Sequence, residues 1–192
     1  MAVEAVVFDI GETLVDETGM WERAAAVAGV TPFTLMGVLG GLAARGEHHD
    51  DAWQILEVEH PAATWEPSDF YPDALDCLDR LRAAGLSVAA VGNTPLETEE
   101  MLRAHVTVLG SSGRWGIAKP APEFFARVIE LVGVEPGKIA YVGDRVDNDV
   151  GPALAAGMVG VHIKRGPWGF LHEPPPEAVR IRSLDELPAA LA

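Results

Sequence analysis

Four short stretches of this chain place charged or amide side chains directly after apolar runs, where they could supply a nucleophile and hold an anionic ligand. Val6-Val7-Phe8-Asp9-Ile10-Gly11-Glu12-Thr13-Leu14 ends an apolar run on a carboxylate and turns at once, which makes Asp9 a candidate nucleophile. Gly92-Asn93-Thr94 offers an amide, a hydroxyl and nearby backbone N–H groups able to hold phosphate oxygens. Lys119 stands in Gly116-Ile117-Ala118-Lys119-Pro120-Ala121-Pro122, a long cation on a loop stiffened by two prolines. Gly143-Asp144-Arg145-Val146-Asp147-Asn148-Asp149 is a second carboxylate cluster just past a buried run. Taken singly, an Asp after a strand is a helix cap or turn residue, and a lone Lys is a solvated surface residue. Four in succession converge on one crevice if the strands form an open parallel sheet.

The elements that must position them follow from hydrophobic periodicity. Val3–Ile10, Leu86–Val91, Val106–Leu109, Ile139–Val142 and Val159–Ile163 read as five strands. Asp73–Ala84 has leucines at helical spacing and stops at Gly85, and Pro95–His105 opens with Pro and acidic residues. Pro122–Val132 stops at Gly133, Asp149–Ala156 stops at Gly157, and a last helix covers Leu184–Leu191. This alternation predicts an α/β fold, a doubly wound parallel sheet with right-handed crossovers. Between Val15 and Tyr71 no strand is legible. Helical pieces cover Trp21–Ala28, Pro32–Ala44 after the cap Thr31, and Asp51–Glu59. Such an all-helical insertion after the first strand reads as a lid over the strand ends. The expected division is a core of residues 1–14 and 72–192 and a cap of residues 15–71, hinged near Pro67-Ser68-Asp69.

Composition narrows the partners. The net charge of −15 (14 Lys and Arg against 29 Asp and Glu) argues against nucleic acid, and no basic segment suggests a membrane surface. Cys77 is the only cysteine, expected half-buried on its helix, so no internal disulfide forms and a reducing, cytoplasmic setting is expected. The N-terminus lacks signal-peptide features, and no apolar run is long enough to span a bilayer.

Over nearly its whole length the chain resembles the haloacid dehalogenase-like (HAD) hydrolase superfamily. The likeness is strongest at Gly116 to Phe124 (G-x-x-K-P-x-P-x-F) and at Val142 to Met158 (V-G-D-x-x-x-N-D through A-G-M). Tyr71-Pro72-Asp73-Ala74 through Gly85 is similar to the family's helix before its second strand, and the insertion to its C1 cap. The resemblance implies a Rossmann-like core and a magnesium-dependent phosphohydrolase of small phosphorylated metabolites. It makes Asp9 the nucleophile that forms an aspartyl-phosphate and Lys119 the cation that steadies it. Asp9, Asp144, Asp149 and the Gly11 carbonyl become the metal set, with Asp149 in or just outside the shell. Gly11, Glu12, Thr13, Asn93, Thr94 and Lys119 become the phosphate-binding set, with Thr13 chiefly shaping the turn. Physics agrees: magnesium takes hard oxygen ligands, and phosphoryl transfer is mainly positioning and charge stabilisation.

Two positions depart from the family pattern. Its phosphatases carry an Asp two residues after the nucleophile, where this chain has Gly11. The backbone carbonyl survives that change, but the proton-transferring side chain is lost, a term worth roughly 10²–10⁴-fold, or about 3–5 kcal/mol. Glu12 is the replacement acid to weigh against a plainer reading, in which it points to solvent or to the cap interface. Restoring the acid by Gly11→Asp is expected to raise turnover of alkyl phosphates. Gly92 stands where the family has Ser or Thr, and Thr94 is its possible substitute. Three functions follow in order of preference. The first is a phosphohydrolase favouring good leaving groups, and the second an impaired or non-catalytic phospho-ligand binder. The third, a 2-haloacid dehalogenase, is disfavoured because Asp144 and Asp149 look metal-binding and no Tyr stands at position 11. Elsewhere, Glu47-His48-His49-Asp50-Asp51 reads as a solvated cap loop, because adjacent histidines point different ways on a helix or strand. Trp21, Trp53 and Trp65 lie in the insertion and could line a substrate pocket, with cap core packing the default reading. Arg145 either meets an anionic substrate or balances the acidic cluster. Arg165-Gly166-Pro167-Trp168-Gly169 follows the fifth strand with no assigned role.

Overall fold

The first strand, β1 (Ala5–Phe8), is buried at every residue, as expected of a central strand in a parallel sheet covered on both faces. The computed structural model describes residues 3–191. The other strands are β2 (Ser87–Gly92), β3 (Val108–Ser111), β4 (Ile139–Gly143), β5 (Val159–Ile163) and β6 (Val179–Ile181). The helices are α1 (Thr18–Ala28), α2 (Pro32–Arg45), α3 (Asp51–Ile55), α4 (Ala74–Ala83), α5 (Leu96–Leu102), α6 (Ser112–Trp115), α7 (Pro122–Val132), α8 (Gly151–Ala155), α9 (Gly166–Leu171) and α10 (Leu187–Ala190).

All strand pairs are parallel, in the order β3-β2-β1-β4-β5-β6. The chain runs outward from β1 through β2 to β3, then returns to the other side of β1 to begin β4. That reversal opens a crevice at the carboxyl ends of β1 and β4. Phe8 pairs in register with both Ala90 and Val142, and the Asp9 N–H donates to Val142 O at 2.8 Å, so Asp9 sits level with the end of β4. Alternate β1 side chains serve two cores. Val6 and Phe8 pack with Leu78 and Leu81 of α4, whereas Ala5 and Val7 pack with Phe124, Phe125 and Val128 of α7.

Helices α1–α3 bury a third apolar cluster of Ala24, Leu35, Leu39, Leu42 and Trp53. Thr31 caps α2 by accepting from Thr34 N at 3.3 Å. Trp168 of α9 also enters this cluster, tying the helical segment to the chain beyond β5. Among the described residues no single helix is long and apolar enough to cross a membrane.

Several elements differ from expectation. Strand β6 and helix α9 have no counterpart in the sequence reading, because three residues or one and a half turns are too short to show a period. Strand β3 begins two residues later than expected, and a single π turn (Val146–Val150) precedes α8. Cys77 is fully buried rather than half-buried, and burial pushes its thiol up to about 11, consistent with an inert core residue.

Candidate active site

The turn after β1 is tight. The N–H groups of Thr13, Leu14 and Val15 all donate to Ile10 O, at 3.3, 2.9 and 3.0 Å, and Glu12 adopts a left-handed φ of 50°, uncommon for a residue with a side chain. Asp9 is thereby held at the crevice. Lys119 Nζ lies 2.5 Å from Asp9 Oδ1 and 2.6 Å from Asp149 Oδ1. The Lys119 loop is fixed by Asn93, whose Oδ1 accepts from Lys119 N at 2.7 Å while its Nδ2 donates to Lys119 O at 3.0 Å. Asp149 Oδ2 accepts from Arg145 N at 3.1 Å, so both of its oxygens are engaged and it acts as a buried support for the lysine.

Lys119, Asp144 and Asp149 are all buried. Burial opposes the charge on Lys119, but Asp149 and Asp9 outweigh it and hold the ammonium well above its usual range. Burial, followed by the charges of Asp149 and Asp9, pushes Asp144 well above the ordinary carboxylate range. Burial and then Asp9 push Asp149 up to about 7, against the pull of Lys119. Asp9, Asp144 and Asp149 bring carboxylate oxygens within 4.8 Å of one another. Three acids against one ammonium, with only oxygen donors, suit a hard divalent cation.

The second wall of the crevice is built around Gly11. A Cβ at this position would lie 2.3 Å from Glu17 Oε1, so the Glu17 carboxylate occupies the space a side chain would take. The Glu17 N–H donates to Glu12 Oε1 at 3.0 Å, and its Oε2 accepts from Trp21 Nε1 at 3.3 Å. Burial, then the charges of Glu12 and Asp9, push Glu17 up to about 8. Glu12 Oε2 accepts from Tyr71 OH at 2.6 Å, and burial raises the Glu12 pKa despite that bond. The Tyr71 ring packs 4.1 Å from the Arg165 guanidinium, which donates to Thr13 O at 2.8 Å and pairs with Asp73.

A cleft of about 290 Å³ connects these walls, lined by Asp9, Gly11, Glu12, Glu17, Asn93, Lys119, Asp144, Arg145, Asn148, His48, His49, Trp65 and Trp168 among others. A larger apolar groove, about 600 Å³, runs between α7 and α8 but carries no titratable side chain.

Several expectations are revised. Glu12 is buried at the interface with both oxygens bonded, so it neither points to solvent nor stands free as the replacement acid. Among the described residues the buried hydroxyls of Thr13 and Thr94 have no hydrogen-bond partner and neither residue lines the cleft, Thr13 serving the turn after β1 through its backbone. The backbone of Thr94 instead holds the turn, its carbonyl accepting from Gly113 N at 3.0 Å. Gly92 is more than a missing hydroxyl, since a Cβ there would come within 2.8 Å of Asp9 Oδ1. Gly11→Asp likewise no longer reads as a simple restoration, because its Cβ meets Glu17. His48 and His49 do not diverge. In this irregular loop their rings stack at 4.3 Å, and their nitrogens lie 3.4 and 3.5 Å from Asp50 oxygens. Trp21 and Trp53 lie at the helical core, as expected, but Trp65 lines the cleft. Glu17 escaped the sequence reading. Its one signal was the Glu17-x-x-x-Trp21 spacing just after the glycine gap. Trp168 lay in a stretch without an assigned role, yet it lines the cleft under Arg145, 4.9 Å from the guanidinium.

Comparison with known proteins agrees with this construction. The chain is 37% identical over 106 residues to a glyceraldehyde 3-phosphate phosphatase of Methanopyrus kandleri, covering 51% of this chain and 45% of that protein. It thus spans about half the length of the curated relatives it matches. The fold is shared with a HAD phosphatase from Thermococcus onnurineus (TM-score 0.66, 22% identity, 99% and 98% of the two chains). It is equally shared with L-2-haloacid dehalogenase from Xanthobacter autotrophicus (TM-score 0.68, 19% identity, 97% of each chain), so the fold alone does not choose between these chemistries. The haloacid dehalogenase-like hydrolase family matches residues 3–157, and this chain belongs to it.

Proposed function

We propose that this protein is a magnesium-dependent phosphohydrolase acting on small phosphorylated metabolites through an aspartyl-phosphate at Asp9. The observation that carries this reading is the Lys119 ammonium bridging Asp9 and Asp149 at 2.5 and 2.6 Å at the carboxyl ends of β1 and β4. Asp9 is held by its backbone bond to β4, oriented by the ammonium, and open to the cleft for attack on phosphorus. Lys119 offsets charge on the transferring phosphoryl oxygens, and Asn93 keeps it in place. Asp9, Asp144 and the Gly11 carbonyl would hold magnesium, with Asp149 behind them, and the ion would supply positive charge at the phosphoryl group. The cleft volume suits a metabolite rather than a macromolecule. Residues 15–71 act as the cap that selects it, with Trp65 and Trp168 on the substrate side. Buried Cys77 as the sole cysteine fits a reducing, cytoplasmic setting.

Wild-type protein should hydrolyse an aryl phosphate with magnesium and not with a chelator. Asp9→Asn should lower kcat by on the order of 10⁵-fold. No magnesium-dependent turnover of any phosphate ester or anhydride would leave the phospho-ligand binder as the correct reading. Release of halide from a 2-haloacid without metal would favour the dehalogenase.

A further inference from the structure

Ester hydrolysis through Asp9 needs a group that protonates the departing oxygen and then deprotonates water. The cleft offers few. Lys119 is committed to two carboxylates, and Asp147 is paired with Arg145 at 2.7 Å. Both oxygens of Glu12 accept hydrogen bonds, from Tyr71 OH and from Glu17 N–H. His48 and His49 are gathered on Asp50 in the cap loop. Glu17 differs from all of these. Its Oε2 accepts from Trp21, whereas no hydrogen bond engages Oε1 among the described residues, and that oxygen lies where a side chain on residue 11 would begin.

We infer that Glu17, supplied from the start of the helical segment, is the catalytic acid and base of this protein, and that Gly11 is glycine so that the Glu17 carboxylate can enter the site. The inference rests on the phosphohydrolase reading above. In the first step an Asp9 oxygen bonds to phosphorus, the bond from phosphorus to the ester oxygen breaks, and the Glu17 carboxyl gives its proton to that oxygen, releasing the alcohol. In the second, water attacks the aspartyl-phosphate, its proton passes to the Glu17 carboxylate, and the bond from phosphorus to Asp9 breaks, freeing phosphate. Two contacts hold Glu17 for this task. Its own N–H is anchored on Glu12, which couples the β1 turn to the start of α1, and its second oxygen is anchored on the Trp21 indole. A Cβ at residue 11 would displace the Glu17 carboxylate from its present position, so the glycine and the placement of the glutamate go together.

The test compares wild type, Glu17→Gln, Glu17→Ala, Gly11→Asp and the Gly11→Asp/Glu17→Ala double variant, on 4-nitrophenyl phosphate and on glycerol phosphate with magnesium. Thermal unfolding confirms that each variant is folded. Glu17→Gln should lower kcat on the alkyl ester by roughly 10²–10⁴-fold with little change in KM. On the aryl ester it should give a burst of nitrophenol equal to the enzyme present, followed by slow turnover, because the leaving group needs no proton but the water step does. The double variant should recover most of the alkyl activity that Glu17→Ala loses, since the space is then free for the new carboxylate. The inference is overturned if both Glu17 variants keep alkyl kcat within about tenfold of wild type, below the usual range for general acid–base loss. It is equally overturned if the double variant is no better than Glu17→Ala. Absence of magnesium-dependent turnover in the wild type is a separate result, and it overturns the underlying reading together with the inference.

Discussion

The two walls of the cleft are built from similar acids but on opposite plans. On the core wall, Asp9 and Asp149 share the Lys119 ammonium, Asn93 clamps that lysine's backbone on both sides, and Arg145 N–H closes the cluster. On the wall formed where β1 meets the helical segment, Glu12 and Glu17 receive hydrogen bonds only from neutral donors, namely Tyr71 OH, the Glu17 N–H and the Trp21 indole. Burial raises acids on both walls, Asp144 and Asp149 on the first and Glu12 and Glu17 on the second, but only on the first does a buried ammonium pull one of them, Asp149, back down. On the second wall Glu17 rises to about 8, in the range that proton transfer at ordinary pH requires.

Breaking the core wall should have the larger effect. Lys119→Met leaves Asp9 and Asp149 buried without their shared cation. It should cost on the order of 10²–10³-fold in kcat and about 3–5 kcal/mol in denaturant-measured stability. Unchanged stability would mean that the ammonium is not what holds the acids together. Gly92→Ser forces the Asp9 carboxylate to shift from its 2.8 Å approach and should lower kcat by roughly 10²-fold, an outcome opposite to the gain expected if the serine simply added a phosphate ligand.

The pH dependence of metal-free stability tests the burial of acids that the two walls share. Asp149 rises from 3.8 to about 7 and Glu17 from 4.5 to about 8, so the folded chain binds these protons more tightly than the unfolded one. Their contribution to stability is therefore fully present below about pH 4 and is lost as pH rises towards about 8. Thermal unfolding in chelator should give a Tm that falls between about pH 5 and about pH 8, with magnesium restoring most at the upper end. A flat profile in chelator would mean that these acids are not desolvated. The smallest effect belongs to the second wall. Tyr71→Phe removes the donor to Glu12 and should cost about 1–3 kcal/mol in urea unfolding. Turnover should change far less than in the lysine variant, which side-by-side assays would show.

Much of the fold was legible because its signals are local. A strand buried on both faces must be apolar throughout, and the chain must turn where the run ends, so Asp9, Asn93, Lys119 and Asp144 could be assigned to strand ends in order. Strand β6 and helix α9 were not legible, since short edge elements take their conformation from neighbours rather than from their own pattern. The helix starting at Thr18 shows its pattern in the sequence only from Trp21 onward, because Glu17 gives it no side-chain cap to mark the start. The histidine pair lies in an irregular cap loop, as expected, and its rings meet there because the divergence argument applies only to regular backbone.

The alternating α/β order, the acids and lysine after the strands, and the two glycine positions that depart from the family pattern are all written in the order of residues along the chain. What those glycines mean is not, and comes from the packing around them. Whether a missing Cβ is a vacancy or a clearance depends on which atom lies within 3 Å of it, and no spacing along the chain encodes that distance. At residue 92 the neighbour is the carboxylate of Asp9, and at residue 11 it is the carboxylate of Glu17.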